Sequence, residues 1–201
     1  MSMKPPLDRR TFLKDAGALA VSAALLAPGA SPIAFADASR GPRIAAALFD
    51  GRYSSCREFA NALARQGAAA FDVGADVALL WYGPLGDHLA RSGGAVAGLT
   101  THSDFAVSQS FGRQLRLLSK YEGAHDSRGS CTITHRLRGL ADADQVGAAP
   151  RLADSHWGEA LASALVRARW DNAAARSKLA VAQSAPIGDH PGFLTSWLLS
   201  A

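Results

Sequence analysis

Charged side chains make up only 19% of the 201 residues, aromatic ones 7%, and there are two cysteines. So little charge beside a hydrophobic fraction of 48% excludes a disordered polymer or a charge-patterned coiled coil. Two cysteines are too few for a small disulfide-stapled scaffold. No uninterrupted apolar run reaches the ~20 residues of a membrane-spanning helix, so no stable membrane anchor is expected. Basic tracts with interleaved aromatics are missing, which disfavours nucleic acid as a partner. His-x-x-x-His and Cys-x-x-Cys spacings are missing too, so His125-Asp126 and His135 beside the late hairpin, with His102 near them, make only a weak metal candidate and no metal site is expected. After residue 36 there is no Gly-x-Ser-x-Gly elbow and no glycine-rich phosphate loop behind the first apolar run. Both hydrolase and nucleotide-binding readings are thereby weakened.

What is present begins with an address. Lys4, Arg9, Arg10 and Lys14 form a positive n-region. An Ala/Leu-rich stretch follows over residues 16–27, and Pro28-Gly29 ends it. Residues 8–14 (DRRTFLK) resemble the twin-arginine (Tat) signal, through Arg9, Arg10, Phe12, Leu13 and Lys14. Asp8 stands where that signal usually has Ser or Thr. Ala34 and Ala36 are small enough for signal peptidase, so cleavage is expected between Ala36 and Asp37. The resemblance implies a removed signal peptide over 1–36, engagement of the Tat translocase, and a folded domain over 37–201 delivered to the periplasm or secreted. The signal carries four basic and two acidic side chains of a chain whose net charge is +4, so residues 37–201 carry only +2.

Within that domain the apolar run over 43–49 (RIAAALF) ends in Asp50-Gly51, as a buried strand entering a turn does. Ser54 and Ser55 are expected to cap a helix whose apolar face uses Phe59, Ala62 and Leu63, and Gly67 ends it. A strand over 68–73 follows. Asp76 then caps a helix carrying Leu79, Leu80 and Leu89, broken at Gly83-Pro84. A third strand spans 94–100 (GAVAGLT). Ser103 opens a helix with Phe105, Val107, Phe111, Leu115 and Leu118 on its apolar side. Strands over 120–124 and 132–137 are joined by a turn at 126–129, and a polar loop covers 139–150. A helix over 152–172 buries Trp157, Leu161, Leu165 and Trp170, and a strand over 193–199 closes the chain. The expectation is one three-layer α/β domain, with a mixed, mostly parallel sheet in its first half and an antiparallel hairpin in its second. The tryptophans read as core, although an exposed Trp81-Tyr82 pair would mark a partner surface.

Two strand ends collect chemistry. Asp50 and Arg52 leave the first strand together, and Thr101, His102, Ser103 and Asp104 stand before a helix N-terminus, where free N–H groups favour an anion. If strands one and three are neighbours, Asp50, Arg52, Thr101, His102 and Ser103 face one crevice and form a small-ligand site. His102 and Asp50 are then the candidate acid–base residues. The same residues also read as a turn and an N-cap. Cys56 and Cys131 could close one disulfide, or remain buried thiols. Nothing in the sequence specifies a cofactor. The phrases ALFDGRY, ALLWYGPL, AVAGLTTHSDF and TSWLLS are similar to those of small Tat-exported bacterial proteins, a resemblance that implies no activity. The expected function is an exported accessory or binding protein, a companion of a larger exported enzyme. The alternative is a small exported enzyme with an anion-binding crevice.

Overall fold

The computed structural model describes residues 43–74, 76–127, 132–139, 156–168, 179–184 and 191–201. The signal residues Arg9, Arg10, Phe12, Leu13 and Lys14, the cleavage pair Ala36 and Asp37, and also Cys131 and Trp170 lie outside them.

Among the described residues the chain builds an α/β fold. Strand β1 (Ile44–Phe49) leads to helix α1 (Ser54–Ala64), and strand β2 (Ala69–Asp72) leads to helices α2 (Val77–Tyr82) and α3 (Pro84–Ser92). Strand β3 (Ala95–Thr100) leads to helix α4 (His102–Gln114), followed by strands β4 (Leu118–Asp126) and β5 (Ile133–Arg138). Helix α5 (Trp157–Arg167) and strands β6 (Leu179–Ser184) and β7 (Phe193–Ser200) complete it. The sheet order is β2-β1-β3-β7-β4-β5-β6. β1 pairs in parallel with β2 and β3, while β7 inserts antiparallel between β3 and β4. β4, β5 and β6 then alternate antiparallel.

Two apolar clusters sandwich this sheet. On one face Ala47, Ala97 and Leu198 meet Phe59 and Leu63 of α1 and Trp157, Leu161 and Leu165 of α5. On the other, Leu48, Val96, Trp197 and Leu199 meet Trp81 of α2, Leu85 and Leu89 of α3, and Phe105 of α4. β1 and β3 are almost continuously apolar because they are covered on both faces. Gly98 is required where β3 passes Trp197, because a Cβ there would fall on the indole ring. The indole nitrogen of Trp197 donates to Thr100 Oγ1 at 3.1 Å, so a fully buried polar atom is satisfied.

Local signals decide several boundaries. Asp76 accepts from the amides of Ala78 and Leu79 as N-cap of α2, and Pro84 begins α3 after the break at Gly83. Gly67, at φ +90°, ends the first helical excursion.

Other local expectations are corrected. Ser54 and Ser55 lie inside the first turn of α1, whose N-cap is Tyr53 with no side-chain hydrogen bond. Thr101, not Ser103, caps α4, its side chain accepting from the amide of Asp104. The buried stripe of α4 is Phe105, Ser108 and Gly112, because small residues allow close approach to Trp81 and Leu199. Val107 and Leu115 therefore point outward, and Leu118 is an exposed strand residue. β4 runs on through His125 and Asp126 rather than turning there.

Candidate functional site

The crossovers place a switch point at the carboxyl ends of β1 and β3. α1, which leaves the end of β1, packs on one sheet face, whereas α4, which leaves the end of β3, packs on the other. Such divergence opens a crevice between the two strand ends, the usual ligand position in open α/β sheets. The expected neighbour relation of strands one and three is therefore present, and Asp50 and Thr101 each follow one of those ends.

The side chains there are committed to one another. Asp50 is buried, and its Oδ1 accepts from the Arg52 amide at 3.1 Å and from Arg52 Nε at 2.9 Å. Its Oδ2 accepts from the Arg52 terminal nitrogen at 2.6 Å, completing a two-pronged ion pair. The Asp50 hydrogen bond and then its charge push the Arg52 pKa further up. The guanidinium head stays in solvent, 66% exposed, and lies over the Tyr53 ring. The neighbouring strand end is closed too, since Asp72 Oδ1 accepts from the amides of Gly51 at 3.1 Å and Gly74 at 3.0 Å.

Across the crevice Thr101 Oγ1 donates to Asp104 Oδ2 at 2.6 Å and lies 2.9 Å from Ser103 Oγ. The N-terminus of α4 thus already carries a carboxylate, that of its own Asp104. His102 is exposed, and its hydrogen-bonding contact is Thr195 Oγ1 at 3.4 Å. Its ring lies edge-on to Phe193. The predicted residues therefore gather along one edge, but in two groups with His102 apart from both. Asp50 pairs with Arg52, Thr101 joins Ser103 and Asp104, and His102 turns toward β7. A base–acid partnership of His102 with Asp50 is not among these contacts.

A second cluster joins two of the histidines weighed above as weak metal candidates. His125 of β4 and His135 of β5 are direct cross-strand partners, with their Nδ1 atoms 2.7 Å apart. His125 Nε2 is 2.8 Å from Ser196 Oγ, which is 2.7 Å from Tyr121 Oη, and His135 Nε2 is 2.8 Å from Ser184 Oγ. All five side chains are buried. The Trp157 ring covers both imidazoles, with centroids at 4.7 and 4.9 Å. Gly123 is required between them, because a Cβ would strike Tyr121 Oη and Ser196 Oγ. Burial pushes the Tyr121 phenol pKa up, against the hydrogen bond to Ser196. The sequence signal was faint: the two histidines face each other only once the hairpin register is known. His102 stands on the opposite sheet face and does not join them.

Cys56 is a buried free thiol whose pKa burial pushes up to about 12, which makes it unreactive.

Facing outward from α2 and α4 is an apolar surface. Leu79 is 68% exposed and Tyr82 77%, and the Tyr82 ring stands edge-on over Phe111 at 4.8 Å. Phe111 is flanked one helical turn either way by Val107 and by Leu115, itself 50% exposed. Trp81 of the expected pair is core, stacked on Phe111 from beneath and donating to Ser108 Oγ at 3.1 Å. No family model, curated protein or solved structure matches the chain.

Proposed function

We propose that this protein is an exported accessory protein that docks onto a larger exported protein through the α2–α4 surface. The observation that carries the reading is the exposure of Tyr82 over the Phe111 ring, with exposed Leu79 three residues before Tyr82 on α2 and exposed Leu115 one turn beyond Phe111. Large apolar side chains grouped this way on a domain surface are characteristic of contact sites. Arg113 and Arg116, exposed on either side of Leu115, give the patch a positive rim. The partner's matching surface is accordingly apolar at its centre and acidic at its edge.

The reading is also supported by the closed state of the strand-end crevice, where Asp50 and Asp104 are already engaged. A second reading, a small exported enzyme with an anion-binding crevice, rests on the exposed Arg52 guanidinium that Asp50 holds beside the start of α4. The resemblance of residues 8–14 to the Tat signal supports export in either case.

A photo-activatable side chain at position 82, in the full chain expressed in its native host, tests the first reading. Docking predicts one dominant adduct with a larger exported protein, absent when the same group is placed at Val181 on the far edge strand. No adduct at 82, or equal labelling from both positions, would overturn it.

A further inference from the structure

The histidine pair has a property that follows from counting protons. An Nδ1···Nδ1 distance of 2.7 Å is a hydrogen bond in which one nitrogen carries the proton and the other accepts it. Two neutral rings satisfy the chain in one sense throughout. Tyr121 donates to Ser196, Ser196 donates to His125 Nε2, His125 Nδ1 donates to His135 Nδ1, and His135 Nε2 donates to Ser184. One added proton on His125 is also accommodated: its Nε2–H donates to Ser196 Oγ, and the Ser196 and Tyr121 hydroxyl protons both turn. A second cannot be, since it would set N–H against N–H.

We propose that the His125–His135 pair is a proton-limited clamp, and that acidification releases the β5–β6 strands and α5 from β4 and β7. The folded domain accepts one proton on the pair, whereas the unfolded chain accepts two near the ordinary imidazole value of about 6.5. The unfolded state therefore binds more protons at low pH, and stability falls as pH drops below that value. Among the described residues the charged groups on the packed elements do not replace this limit. Arg136 and Arg138 alternate onto the other sheet face, and Glu159 of α5 pairs with Arg65 of α1. His156 pairs with Glu58 at the start of α5, Asp126 ends β4, and Tyr121 belongs to the chain itself. Trp157, lying over both rings, would be uncovered as the clamp opens.

The test is a pH series on the full chain, reading imidazole nitrogens by ¹⁵N NMR and the unfolding equilibrium by urea titration. At neutral pH one ring should be the Nδ1–H tautomer and the other the Nε2–H tautomer, with one shared proton. Below about pH 5.5 the unfolding constant should rise as pH falls, by about tenfold per unit more steeply in the native chain than in a His125→Gln/His135→Gln chain. If that double variant does not fold, the native spectra decide alone. Two doubly protonated rings at positions 125 and 135 in the still-folded domain, or equal acid slopes in both chains, would overturn the proposal.

Discussion

Ser196→Ala probes the buried polar chain where it is most sensitive, because Ser196 is the only hydroxyl in it bonded to two titratable side chains. Tyr121 Oη lies 2.7 Å from Ser196 Oγ on one side and His125 Nε2 lies 2.8 Å away on the other. Removing the hydroxyl deprives both of a partner in a site with no exposure. A buried polar group deprived of its partner costs about 1–3 kcal/mol, so the substitution should destabilise by about 2–6 kcal/mol. Tyr121→Phe removes only the terminal group, and Ser196 keeps His125, so its cost should be about 1 kcal/mol. In the Tyr121→Phe background Ser196→Ala has one fewer group to strand, so the two effects should fall short of additivity by at least about 1 kcal/mol. Urea unfolding of the four chains measures all of these quantities. A Ser196→Ala cost below about 1 kcal/mol, or strict additivity with Tyr121→Phe, would mean that Ser196 does not hold Tyr121 and His125 in one buried hydrogen-bond chain.

Three further outcomes follow from the packing and the titrating groups. Gly98→Ala places a Cβ on the fully buried Trp197 ring and should cost about 3 kcal/mol or more, read as loss of the cooperative thermal transition or a lowered Tm. Arg116 holds φ +60° just beyond α4, the one non-glycine residue with positive φ among those described. Arg116→Gly should therefore stabilise by about 1 kcal/mol in urea unfolding. The Cys56 thiol keeps its proton to about pH 12 in the fold, whereas the unfolded chain releases it near 9. The folded state then binds more protons, so stability should fall as pH rises from about 9 to 12, by about 1.4 kcal/mol per unit. Tyr121 adds the same sign above about pH 10, and Cys56→Ala should flatten the first part of the curve.

Much of the fold was legible because it depends on local signals. The apolar runs of β1 and β3, the Asp76 cap, the Gly83-Pro84 break and the stop at Gly67 all act within a few residues. Where tertiary contacts decide, the pattern misleads. Val107 and Leu115 look like the buried face of α4, but Ser108 and Gly112 are buried instead because Trp81 and Leu199 need the space. β6, with the sequence LAVAQS, carries no marked periodicity and is a strand because β5 offers six residues of register. The central position of β7, the last strand in the chain, likewise depends on long-range pairing.

The sites divide in the same way. Asp50, Arg52, Thr101 and His102 were readable as strand-end residues, because chemistry collects at such ends, but their pairing into separate groups was not. The histidine pair needs the β4–β5 register, and its serines come from two further strands distant in sequence.

If the domain docks as proposed, native mass spectrometry of the protein taken from the exported fraction of its host should find its partner still bound. Docking through the α2–α4 surface predicts a one-to-one complex with a larger protein, retained by His102→Ala and lost on Tyr82→Asp, while the Tyr82→Asp domain itself keeps its stability within about 0.5 kcal/mol. A lone domain, or one carrying a small anionic ligand that His102→Ala or Arg52→Ala removes and Tyr82→Asp does not, would contradict it and favour the strand-end crevice as the working site.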